Sequence, residues 1–190
     1  MRIISGIYGS RRIKAKIPAN VRPTSDQVRE SVYNILNNII DFSEIRVLDL
    51  FSGTGAFAFE ALSRGASFAT LVEKNNKTST LIKSIASDLN IPNNNYKVIN
   101  TDVIKFLKSN INEVEKYNLI FADPPYDEEN IYNELINNLP LYSGIDKDTL
   151  IVLEYRTINK IELPATFNII NERKFGDTSF LIFEIGLLAN

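Results

Sequence analysis

Histidine, cysteine and tryptophan are all missing from this chain of 190 residues. Without thiols or imidazoles there can be no disulfide framework and no Cys/His zinc site, and no metal is expected. Ser-His-Asp and Cys-His nucleophiles are excluded for the same reason. No apolar run approaches the roughly 20 residues of a membrane span. The N-terminus, Met1-Arg-Ile-Ile-Ser-Gly6, lacks the apolar core of a signal peptide. A cytoplasmic location without a membrane partner is therefore the expectation. Any catalysis has to rest on carboxylates, backbone groups, Tyr, Lys or Arg.

What is present fits one folded domain over residues 1–190, since 44% hydrophobic and 23% charged residues are ordinary values for a packed chain. The net charge of −2 hides an asymmetry, because the first 30 residues carry seven basic side chains against Asp26 and Glu30. A basic N-terminal segment on an acidic body suggests one positive face for phosphates, with Arg2, Arg11, Arg12, Lys14, Arg22 and Arg29 as candidate nucleic-acid contacts. A solvated charged hairpin would read the same way. Arg22 and Arg29 also lie at helical spacing from Asp26 and Glu30, where surface ion pairs would serve equally.

Apolar and polar residues alternate around Gly6 and Gly9, predicting a small β-hairpin extension over residues 1–22. Thr24, with Gln27 three positions on, fits a capping box for a helix running to about Ile40. From Ile45 the pattern alternates between apolar β runs and segments of helical period. Strands are expected at about 45–50, 68–73, 96–100, 117–122 and 149–155, and helices near 55–64, 75–89, 102–109 and 128–139. This is the signature of a doubly wound α/β sheet of parallel strands. The last 25 residues break it, because Asn168–Phe175, a turn at Gly176-Asp177 and Ser179–Ile185 read as a hairpin with no helix between. Five parallel strands followed by a hairpin imply seven strands, mostly parallel with an antiparallel last strand. That arrangement resembles the Rossmann-like fold of AdoMet-dependent methyltransferases.

Two loops stand out in this frame. Asn118-Leu-Ile-Phe-Ala122 reads as a buried strand ending in the stiff turn Asp123-Pro124-Pro125-Tyr126. The prolines fix φ and lack N–H groups, so the Asp123 carboxylate and the Pro124 carbonyl can both accept hydrogen bonds from one incoming amino group. Tyr126 offers a flat face for a base. Methyl transfer to an exocyclic amine needs such acceptors, because the nitrogen lone pair is delocalised into the ring and positive charge develops on nitrogen as the methyl arrives. Methylation at carbon 5 of a pyrimidine by the covalent route is excluded, since it needs a thiolate. A plain surface turn after a core strand would carry the same residues.

The second loop is Val47-Leu-Asp-Leu-Phe-Ser-Gly53-Thr-Gly55-Ala-Phe-Ala58. Gly53 and Gly55 let the backbone pass close to a ligand, and a helix N-terminus attracts a carboxylate or phosphate. Glu73 closes the second strand, where an acid accepts from two ribose hydroxyls. Asp102 can receive an adenine amino group, with Val103 against the ring. The glycine spacing also satisfies a nicotinamide-dinucleotide fingerprint. Asp49, two residues before Phe51, the terminal hairpin and the Asp123 turn favour S-adenosyl-L-methionine.

These motifs together resemble the bacterial small-subunit ribosomal RNA guanine-N2 methyltransferases, nearly end to end. The resemblance runs through Arg2-Ile-Ile-Ser-Gly6, Gly9-Ser-Arg11-Arg12, Arg22–Glu30, Leu48–Gly55, Glu60–Gly65, Asp123–Tyr126 and Lys174–Thr178. The central motifs are common to many amino-methyltransferases, and the outer ones discriminate. The resemblance implies an N-terminal extension that binds RNA and a turn, Asp123 to Tyr126, that receives a guanine 2-amino group. It implies 16S rRNA as substrate, within a 30S particle or assembly intermediate, and a monomeric enzyme. The competing readings are a DNA adenine-N6 or cytosine-N4 methyltransferase and an inactive RNA-binding module of the same fold.

Overall fold

A computed structural model describes residues 2–13, 24–109, 114–126, 128, 130–159 and 161–186. Among them seven strands form one sheet: β1 Arg46–Leu50, β2 Phe68–Val72, β3 Tyr96–Ile99, β4 Leu119–Ala122, β5 Leu150–Arg156, β6 Phe167–Phe175 and β7 Thr178–Ile185. Their order is β3-β2-β1-β4-β5-β7-β6. β1 to β5 pair in parallel, and β7 enters antiparallel between β5 and β6. The expected sheet, with its antiparallel last strand, is the one formed.

Among the described residues five α-helices cover the faces, α1 Asp26–Leu36, α2 Ala56–Arg64, α3 Asn76–Asp88, α4 Val103–Ser109 and α5 Ile131–Asn138, the last continued by a 3-10 turn at Leu139–Leu141. The period-two alternation of the strands divides the core. Val47 and Phe121 pack with Tyr33, Phe57 and Ile82 on one side, and Leu48, Leu50 and Ile120 with Phe106 and Leu135 on the other. Central strands buried on both faces read as nearly unbroken apolar runs. β3 and β6 are the two edge strands, and the exposed Glu172, Arg173 and Lys174 of β6 discourage pairing with another chain. No helix among the described residues is long and apolar enough to cross a membrane.

Two local expectations need correction. The N-cap of α1 is Ser25, not Thr24: Ser25 is extended and its hydroxyl accepts from Val28 N at 3.2 Å. Thr24 lies outside the helix with its hydroxyl turned elsewhere. The helix also stops at Leu36 rather than near Ile40, because Leu36 O accepts from Ile39 N and Ile40 N, both at 2.9 Å, in a closing turn.

The described part of the N-terminal extension folds back through one antiparallel bridge, Arg2 to Arg12. The rest of residues 1–22, with Lys14 and Arg22, lies outside the described residues. What holds this arm is a dock on α2. The buried Glu60 carboxylate accepts from Ile4 N at 2.7 Å, Ser5 N at 3.1 Å and Arg64 Nε at 2.9 Å. Ser63 accepts from Tyr8 N at 3.0 Å through its hydroxyl and from Ile7 N at 2.8 Å through its carbonyl. Gly6, at φ 80°, passes so close that a Cβ would fall 1.8 Å from Ser63 O. Two of the motifs that carry the resemblance, Arg2–Gly6 and Glu60–Gly65, are therefore the two sides of one contact.

Candidate active site

The strand order reverses between β1 and β4, and ligands of open α/β sheets bind at the carboxyl ends of the strands at such a switch point. Register makes this concrete. Leu50 is opposite Ala122, so the glycine loop after β1 and the Asp123 turn after β4 leave the sheet side by side. Asp123 N donates to Leu50 O at 3.4 Å. A cavity of about 670 Å³ opens above both, with Asp49, Gly53 and Glu73 on one wall and Asp123, Pro124 and Tyr126 on the other.

The glycine-loop wall is shaped by backbone. Phe51, Gly53 and Gly55 all have positive φ, at 59°, 53° and 74°. At Gly55 a Cβ would lie 2.8 Å from both Leu71 Cδ2 and Phe59 Cε2, so any other residue there is both crowded and strained. Gly55 caps α2 without a side-chain bond. Ala56 and Phe57, the first two residues of α2, line the cavity, and the N–H of the third, Ala58, is taken by Asp49. Asp49 is buried and its Oδ2 accepts from Ala58 N at 3.2 Å. Burial pushes its carboxyl up to about 8; the Ala58 N–H opposes this and the charge of Glu73 adds to it.

Glu73 accepts from Gly53 N through Oε2 at 3.0 Å and from Asn75 N through Oε1 at 2.7 Å. Each oxygen keeps a second lone pair. Val103 is buried and lines the cavity, whereas Asp102 is exposed, is not a cavity wall and caps α4 by accepting from Lys105 N at 3.0 Å. The turn wall is built from side chains. Asp123 and Tyr126 are half-buried and Pro124 is buried. The Tyr126 hydroxyl donates to Glu154 Oε1 at 3.0 Å and lies 3.0 Å from Thr178 Oγ1, while the Arg156 guanidinium sits 5.0 Å over its ring. Lys74, beside the glycine loop, pairs with Glu128, just past the turn.

The basic residues separate. Arg12 is exposed, and Arg2 is exposed beside Asp26 at 3.5 Å. Arg11 donates to Leu89 O at 2.5 Å and lies over the Tyr8 ring. Arg29 departs from the expected phosphate contact. Its side chain is wholly buried, donating to the Arg2 carbonyl and to Asp26 Oδ1 at 3.1 Å. Enclosed between α1 and the arm, it secures the arm and presents no guanidinium to solvent.

Sequence reasoning missed Glu154, Thr24, Thr178 and Arg156 as cavity walls. One signal was available, since Glu154 interrupts Leu150–Tyr155, an otherwise apolar, fully buried strand. Thr178 stood in a discriminating motif without an assigned task, and Thr24 was read only as a helix cap.

The family described as "Conserved hypothetical protein 95" matches residues 1–184. The ribosomal RNA small subunit methyltransferase D of Buchnera aphidicola subsp. Acyrthosiphon pisum is 35% identical over 171 residues, covering 90% of this chain and 86% of the relative. Among solved structures, Escherichia coli yhhF superposes with a TM-score of 0.82 at 26% identity, covering 99% of each chain. SMU.776, solved as a complex with SAH, shares the fold at a TM-score of 0.68 and 18% identity, over 84% of this chain and 48% of its own. With a family match across residues 1–184 and a relative above 30% identity over most of both chains, this chain belongs to the conserved hypothetical protein 95 family, alongside the ribosomal RNA small subunit methyltransferase D proteins.

Proposed function

We propose that the protein is an S-adenosyl-L-methionine-dependent methyltransferase acting on the exocyclic N2 of one guanine in 16S ribosomal RNA. The reading takes it as a cytoplasmic monomer whose substrate is presented in a 30S particle or an assembly intermediate. The observation that carries the reading is a cavity shared by the glycine loop with Glu73 and the Asp123–Tyr126 turn. The name of the Buchnera relative supports ribosomal RNA as the substrate class, and the SAH bound by SMU.776 supports the cofactor class.

The residues present fit this cofactor. Glu73 retains acceptor capacity on both oxygens for two ribose hydroxyls. The first turn of α2 at Ala56 and Phe57, which Gly55 does not cap, suits the methionine carboxylate, and Asp49 suits the neighbouring ammonium. Val103 offers an apolar face for the adenine ring, and the exposed Asp102 beside it, already capping α4, is taken as the acceptor of its amino group. When bound, S-adenosylmethionine supplies a methyl group activated by a sulfonium.

On the opposite wall, Asp123 and the Pro124 carbonyl accept the two N–H groups of the guanine amine and draw its lone pair out of the ring. Positive charge would develop on that nitrogen as its bond to the methyl carbon forms and the carbon–sulfur bond breaks to leave a neutral thioether, and the surplus N–H proton would then pass to the Asp123 carboxylate or to water. A fixed carboxylate and carbonyl dipole stabilise the charged nitrogen more than the neutral amine. Tyr126 stacks on the base turned out of its helix, and holding the amine in place supplies much of the acceleration. The exposed Arg2 and Arg12 of the docked arm are taken as RNA contacts, with Arg11 beside them. Lys14 and Arg22 belong to the same proposal.

Incubation with labelled S-adenosylmethionine and, separately, 30S particles, naked rRNA and duplex DNA tests this. Label in 16S rRNA at a guanine N2 is expected, and label in DNA alone overturns it. Asp123→Ala is expected to lower transfer by at least about a hundredfold, the scale of one lost transition-state acceptor, while cofactor affinity by calorimetry stays within about twofold. Retained turnover in that variant would sink the mechanism.

A further inference from the structure

Glu154 stands where three distant segments of the chain meet. It lies on β5, is 7% exposed and is flanked by buried apolar residues, an unfavourable setting for a carboxylate unless its oxygens are occupied. They are. Oε1 accepts from the Tyr126 hydroxyl at 3.0 Å, and Oε2 accepts from Thr24 Oγ1 at 3.3 Å. The phenol has one proton and gives it to Glu154, so the Thr178 hydroxyl, 3.0 Å from the same phenol oxygen, is the donor in that pair. The result is a directed chain, Thr178 to Tyr126 to Glu154, with Thr24 closing on the far oxygen. Tyr126 is pushed up to about 12, first by burial and also by the charge of Glu154, so the phenol stays a donor throughout the neutral range.

We propose that Glu154 is the positioning residue of the acceptor turn. A tyrosine ring is hinged at Cβ, and fixing its far oxygen fixes the ring plane. With Glu154 and Thr178 holding the hydroxyl, the ring face that receives the base is set before the base arrives. Thr24 leads into α1 directly after the N-terminal arm, and Thr178 sits at the tip of the β6–β7 hairpin. The hairpin motif therefore reaches the Tyr126 hydroxyl directly through Thr178, and the segment before α1 reaches it through the Glu154 carboxylate. Stability alone is a poor account of it, because replacing a buried ionic group by an apolar one of similar volume is often neutral or stabilising. The inference rests on the reading of Asp123–Tyr126 as the acceptor turn.

The test is a double-mutant cycle in labelled methyl transfer to 30S particles, with cofactor binding by calorimetry and thermal melting in parallel. Glu154→Ala and Tyr126→Phe are each expected to lower kcat by about 10- to 100-fold, the scale of a misplaced reacting group, with cofactor affinity within about twofold of wild type. The double variant is expected to be no worse than the poorer single one. Glu154→Gln, whose amide oxygen still accepts from the phenol, is expected to recover part of the loss. Should Glu154→Ala fail to fold, Thr178→Val takes its place, with a smaller loss that disappears in the Tyr126→Phe background. Losses that multiply in the double variant, or full kcat in a folded Glu154→Ala, overturn the positioning role and leave the methyltransferase reading standing. No transfer by the wild type to any nucleic acid overturns both.

Discussion

The two walls of the cavity are built by different means. The glycine-loop wall is made from two short stretches, residues 49–58 and 73–75, and its shape is set by backbone: three positive φ values, a helix start that Gly55 does not cap and N–H groups donated to Glu73 and Asp49. The turn wall gathers Thr24, Asp123–Tyr126, Glu154, Arg156 and Thr178, and is set by side-chain hydrogen bonds between residues up to 130 positions apart. A wall made of backbone can serve one invariant ligand. A wall made of side chains can be altered to take another acceptor without disturbing the first. Substitutions on one wall should consequently leave the other's function intact, and the strongest tests try to break that independence.

Gly55→Val should have the largest effect. The new Cβ would meet Leu71 and Phe59 at 2.8 Å, at a φ of 74°. Together the left-handed backbone and the overpacking are worth about 2–5 kcal/mol. Calorimetry should find no cofactor binding, and the melting temperature should fall. Unchanged cofactor affinity in this variant would mean that the loop is only a chain reversal.

Legibility followed the same division. Gly53, Gly55 and Glu73 were readable because a glycine turn between a strand and a helix is a local pattern, and the acid falls one strand later. The sheet was readable too, since buried parallel strands alternate with helical segments over short spans. The Asp123 turn announced itself by its prolines. What was not readable was non-local: nothing near Glu154 in sequence points to Thr24 or Tyr126, and pairings across more than 100 residues exist only once the sheet forms. Arg29 shows the same limit from the other side. Its charge suggested phosphate, but α1 turns it under the arm, where it donates to the Arg2 carbonyl. Surface or core is a property of the packed helix face, and Val28-Arg29-Glu30 does not reveal which side closes.

A smaller effect tests how the glycine-loop wall responds to charge. Asp49 is held near 8 in the folded protein, well above its ordinary value near 4. Between those values the unfolded chain releases a proton that the folded one keeps. Asp49 therefore contributes full stability below about pH 4, and that contribution is lost as pH rises through about 8. Relative to wild type, Asp49→Asn should flatten this part of the melting-temperature profile in the absence of cofactor. A bound ammonium favours the carboxylate, so cofactor binding at pH 7 should release a proton in the wild type that Asp49→Asn does not release. Calorimetry in two buffers of different ionisation enthalpy would measure it. Equal proton release in both proteins would remove Asp49 from the cofactor wall.

The smallest effect contrasts a second glycine with Gly55. Gly176 also has positive φ, 63°, at the β6–β7 tip near Thr178, but a Cβ there would meet nothing within 4 Å. Gly176→Ala should therefore carry only the left-handed backbone term, about 1–2 kcal/mol, offset by the reduced freedom of the unfolded chain, about 0.4–1 kcal/mol. The net loss corresponds to a melting shift of a few degrees at most, roughly 2–4 °C per kcal/mol in a chain of this size. Thr178 keeps its place in the β7 register opposite Arg156, so kcat should change by less than about twofold, the level at which the tip serves only through Thr178 and Tyr126. A loss of tenfold or more at unchanged melting temperature would instead make the hairpin tip a direct contact for the RNA, and the turn wall would then extend beyond the cavity to the surface of the hairpin.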